Sequence, residues 1–114
     1  MRDLVKETRN AIDNKAKGNA GIVVNDAVMR EVMYIADAIQ SLIASSKLQK
    51  LDICVDEKDL SFYLEIDKLI VNPTERSLLV IADNAKSIDV KRVSGENSVQ
   101  LRMRFKSPLM MGGA

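Results

Sequence analysis

The side chains best suited to chemistry are six carboxylates in a short span: Asp52, Asp56, Glu57, Asp59, Glu65 and Asp67. Oxygen ligands at this density could hold Mg2+ or Ca2+, or divide acid and base roles if one carboxylate were desolvated. Their pattern argues against both. The run Asp56-Glu57-Lys58-Asp59 lacks the glycine and the closing glutamate spacing of an EF-hand loop. Nothing around it is apolar enough to bury a carboxylate. A solvated turn is expected, with no metal and no cofactor, and a carboxylate-based metal-dependent enzyme ranks third among the readings.

Histidine is absent, which removes the commonest general base and metal ligand. The single cysteine, Cys54, excludes an intrachain disulfide and a multi-thiolate site. Its neighbours Asp52 and Asp56 oppose its use as a nucleophile. No G-x-G-x-x-G, Walker A or G-x-S-x-G run occurs. The chemistry-bearing residues therefore point away from an enzyme.

Charge is segregated along the chain. Residues 49–85 carry four basic and eight acidic side chains, net −4, while residues 86–106 carry six and two, net +4. Lys86, Lys91, Arg92, Arg102, Arg104 and Lys106 could contact a phosphate backbone, which makes nucleic-acid binding by the basic C-terminal hairpin the second reading. A net charge of +1 and a mere two tyrosines and two phenylalanines disfavour it, since base-stacking platforms use exposed aromatics.

The elements that must position these groups follow from apolar spacing. Residues 2–17 form a thin stripe at Leu4 or Val5, Thr8, Ala11 and Ile12, a marginal helix that needs a partner surface. Residues 22–24 are a short apolar connector able to pair as a brief strand. Asn25 or Asp26 is placed to cap a long helix over 27–47, where Val28, Val32, Ile35, Ile39 and Leu42 recur at three and four. Strict alternation then marks strands at 51–55, 60–66 and 99–105. The runs 77–83 and 86–93 are read as two further strands.

Turn lengths set the register. A four-residue turn at 56–59 places Val55 opposite Leu60, Ile53 opposite Phe62 and Leu51 opposite Leu64. A second at 94–97 places Val90 opposite Leu101, Ile88 opposite Met103 and Asp89 beside Arg102 as a cross-strand pair. The strand from Leu60 must bend near Asp67-Lys68, where parity would otherwise turn a lysine into the core.

The expected fold is α+β: a five-stranded antiparallel meander, one long helix packed on one face, and a lesser N-terminal helix. Residues 1–106 make one domain, helical over 1–48 and sheet over 49–106, with 107–114 a flexible tail. Leu78 to Ile81 is apolar on both sides, as in a strand covered on both faces. The second cover is either the N-terminal helix or another copy of the chain or a protein partner. Tyr63, Leu79 and Ile81 are the expected interface residues. The leading reading is thus a small non-catalytic interaction or assembly module, homo-oligomeric through the second sheet face. The N-terminal segment has no apolar signal-like stretch, and no apolar run approaches the ~20 residues of a membrane span. A cytoplasmic location without membrane attachment is expected.

Overall fold

The computed structural model describes residues 3–72, 74–93 and 98–112. In chain order its elements are α1 (Leu4–Lys17), β1 (Ile22–Val24), α2 (Asp26–Leu42), β2 (Lys47–Val55), β3 (Asp59–Asp67), α3 (Glu75–Asn84), β4 (Ala85–Arg92), β5 (Ser98–Lys106) and β6 (Leu109–Met111). The class is α+β, with a four-stranded antiparallel sheet in the order β2-β3-β5-β4 and a two-stranded sheet of β1 and β6.

Each helix starts where a side chain satisfies orphan amides. Asp3 accepts from the Lys6 N–H at 3.1 Å, and Asn25 accepts from Ala27 and Val28 at 3.0 and 3.2 Å. Lys15 and Lys17 complement the C-terminal end of α1 before Gly18. The buried stripe of α1 is Leu4, Thr8 and Ile12, one residue per turn. A stripe this narrow needs a neighbour. The Leu4 N–H donates to Gln40 Oε1 at 2.7 Å, tying α1 to α2.

α1 packs on α2 and β2, and α3 packs on the other flank of α2, so the helices form one layer in the order α1-α2-α3. The N-terminal helix therefore does not cover the second sheet face. Leu60, Phe62, Leu64 and Ile66 of β3, Met103 and Phe105 of β5 and Leu51 of β2 are buried beneath the helices. Phe62 and Phe105 meet edge to face, 5.8 Å apart at 76°. Burying such a side chain stabilises by roughly 1.5–3 kcal/mol.

Both predicted registers are present. Val55, Ile53 and Leu51 face Leu60, Phe62 and Leu64, and Val90, Asp89 and Ile88 face Leu101, Arg102 and Met103. β3 ends at Asp67, and Lys68 takes φ 52°, so the bend comes where core parity forbids a lysine.

Three expectations are corrected. Residues 77–83 belong to helix α3, not to a strand, and among the described residues the main sheet has four strands rather than five. Thr74 and Ser77 form the start of that helix: each side chain accepts from the other's backbone N–H at 3.1 Å. With a helix between them, β3 and β4 run parallel, and β5 returns between the two. That gives a split β-α-β unit in place of a meander. Second, α2 stops at Leu42 and β2 begins at Lys47, inside the stretch expected to be helical.

Third, much of the expected tail is structured. Ser107, Pro108 and Leu109 are buried, and β6 pairs with β1. The Ser107 hydroxyl donates to the Asp56 carbonyl, and Asn25 N–H donates to the Pro108 carbonyl at 2.7 Å. Gly21 turns into β1 with φ +85°, and a Cβ on Gly112 would stand 2.8 Å from the Gly21 carbonyl. The turn expected at 94–97 and the tail residues 113 and 114 lie outside the described residues.

Candidate functional site

The residues singled out from sequence do not share one surface. On the outer face, away from the helices, β3 and β5 set Ser61 opposite Arg104, Tyr63 opposite Arg102 and Glu65 opposite Gln100. β2 adds Lys50, Asp52 and Cys54, and β4 adds Ser87, Asp89 and Lys91. This face is polar, as expected of an antiparallel sheet with one solvated side. Tyr63 lies at its centre, with Lys50 5.8 Å and Arg102 5.3 Å from the ring centroid. Its hydroxyl donates to Glu65 at 2.8 Å, and that bond raises the phenol's pKa above its usual value.

The expected interface trio is not assembled. Tyr63 is on the outer face, Leu79 is 52% exposed on α3, and Ile81 is 6% exposed in the core. The reason is the change of period. Residues two apart share a face on a strand but lie on different sides of a helix.

The basic residues are divided between surfaces. Arg102 and Arg104 project from the outer face of β5, and Lys106 and Lys91 share that parity. Arg92, opposite Val99, takes the helix-side parity. Lys86 sits at the irregularity between Ala85 and Ser87, where its ammonium reaches Asp59 at 2.6 Å. Asp59 is also 3.9 Å from Arg104. Acidic neighbours thus offset part of this charge.

The carboxylates likewise serve local structure. Asp56 Oδ1 accepts from the N–H groups of Asp59 and Lys58 at 2.7 and 2.8 Å, closing the β2–β3 turn. Those two amides, Asp59 first, hold the Asp56 carboxyl below the usual carboxylate range. Asp67 accepts from the Ser98 hydroxyl at 3.1 Å. Among the described residues no three acidic or thiol groups come together as a ligand set. Cys54 is exposed.

The surface that sequence reading missed is the helix side of β4. Ile88 and Val90 have core parity, opposite Met103 and Leu101, yet they are 47% and 63% exposed. On β3, by contrast, every position of that parity is buried. Among the described residues β4 is an edge strand with one side unpaired. Leu78 on α3 is also exposed. It projects from the flank roughly opposite Val80, which with Ser77 faces Tyr34 and Ala38 of α2. The helix layer thus ends short of the sheet edge. Parity was readable in the sequence, but the width of the cover was not. No family model, curated protein or solved structure matches the chain.

Proposed function

We propose that the chain is a small, non-catalytic assembly module of the cytoplasm that self-associates through the β4 edge of its sheet. The supporting observation is the exposure of Ile88 and Val90, two core-parity side chains on the strand that ends the sheet among the described residues. Adjacent exposed apolar groups on an unpaired edge invite a further strand. The outer face, considered first from sequence, is less suited to burial because it carries Arg102, Arg104, Asp52 and Asp89. Among the described residues no helix is long and apolar enough to cross a membrane. An unpaired thiol at Cys54 fits a reducing compartment.

Solution mass by light scattering, at low and high salt, tests this reading. The expected result is a species of at least two chains that survives high salt, because apolar burial is not screened. A monomer at both salts overturns it. The second reading, nucleic-acid binding, draws support from Arg102 beside Tyr63 on an open face. It would replace the first if the monomer bound a random duplex and released it steeply with salt.

A further inference from the structure

The self-association reading leaves the geometry of the assembly open, and the strand itself narrows it. β4 reads Ala85-Lys86-Ser87-Ile88-Asp89-Val90-Lys91-Arg92. Asp89 and Lys91 point to the outer face, while Ile88, Val90 and Arg92 take helix-side parity. If two β4 edges join antiparallel about a two-fold axis, residues directly opposite share a face. The axis then sets which side chains meet.

Centred on Asp89, the pairing brings Asp89 against its own counterpart. Centred on Lys91, it brings two lysines together. Like charges directly opposite are destabilising. Centred on Val90, it sets Val90 against Val90 of the second copy. Asp89 then meets Lys91 of that copy, and the pair recurs by symmetry. Ile88 falls opposite the aliphatic stem of Arg92. Centred on Ile88, the pairing sets Asp89 against Ser87 and Val90 against Lys86. An axis between residues would oppose side chains that point to different faces, which a continuous antiparallel sheet does not allow. One register alone is both apolar on the helix side and complementary in charge on the other.

The opposite edge is less open to pairing. β2 carries an irregularity between Leu48 and Lys50 and lysines at 47 and 50, and α1 packs over it. Irregularities and lysines are devices that block edge pairing. β4 has an irregularity and two lysines too, but the irregularity and Lys86 lie at the Ala85 end, outside the span 87–93 that the Val90-centred register uses, and Lys91 meets Asp89 in that register.

We propose that the partner at this edge is a second copy of this chain, paired antiparallel β4 to β4 with Val90 opposite Val90, Asp89 opposite Lys91 and the sheet continuing across the two-fold axis. On the helix side, Leu78 of each α3, exposed on the flank away from α2, is placed toward the seam. This rests on the self-association reading, and its test separates the two.

In a Cys54→Ser background, Val90→Cys is expected to give a covalent dimer on mild oxidation. Opposite residues in an antiparallel pair have Cα atoms about 4.5–5.5 Å apart, within the disulfide range. Val23→Cys, exposed on β1, serves as the collision control. Asp89→Lys alone and Lys91→Asp alone should each weaken dimerisation by roughly tenfold or more, because every change acts twice across the axis. The double reversal should restore it. A dimer that neither crosslinks at position 90 faster than at 23 nor responds to the charge reversals overturns this geometry but leaves self-association standing. A monomeric wild-type chain overturns both.

Discussion

An Ile81→Asp variant is expected to lose its fold, while Leu79→Asp, two residues away, keeps it. Ile81 is buried at 6% exposure on the inner side of α3, and Leu79 is 52% exposed on another side. Aspartate at 81 removes a core side chain and must either desolvate its charge or break the packing of α3. The combined cost is on the order of 4 kcal/mol or more. That is a large share of the ~5–15 kcal/mol that holds a typical domain together. Aspartate at 79 meets water, and a change of about 0.5 kcal/mol or less is expected there. Thermal and urea melts followed by circular dichroism check the pair. If 77–83 were a strand, both substitutions would fall on one face and act alike, so equal responses would contradict the helical assignment.

The second large effect belongs to the two phenylalanines. Phe62 and Phe105 are fully buried on adjacent strands, with their rings in edge-to-face contact. Phe62→Ala is expected to cost about 3–5 kcal/mol, through lost transfer free energy and the cavity left behind. Phe105→Ala should cost about the same. The double variant should lose less than the two effects added, by roughly 0.5–1.5 kcal/mol, because either single change already removes the ring–ring contact. Urea denaturation measures all three. A loss below about 1 kcal/mol for Phe62→Ala would contradict its place at the centre of the core.

The contrast between these sites shows what the sequence carried. The β2–β3 and β4–β5 registers were legible because alternation at period two and a four-residue turn leave one pairing in which both apolar faces coincide. The bend at Lys68 was legible for the same reason. α3 was not. Leu78-Leu79-Val80-Ile81 satisfies a doubly covered strand and a helix equally well, and a run this short has no period of its own. The deciding signal was Thr74 three residues before Ser77, a helix start with serine where glutamate is usual.

The period of 77–83 also decides the candidate site. With 77–83 taken as a strand, Leu79 and Ile81 joined Tyr63 on an apolar second face. With it as a helix, Ile81 enters the core and the chain is carried across the sheet, which makes β4 an edge. Alternation in the sequence gives Ile88 and Val90 the parity they have in the sheet. Their exposure depends on how far the helix layer reaches, and that is set by tertiary packing rather than by local pattern.

Hydrogen exchange of the β4 amides at increasing protein concentration tests the assembly surface most directly. In a lone chain, alternate N–H groups along β4 point away from β5 and exchange with solvent; in the proposed dimer they bond to the second copy. Protection should therefore rise with concentration at residues 87–93 and remain constant along β2. Exchange in β4 that is independent of concentration, or protection that rises along β2 instead, would contradict assembly through the β4 edge.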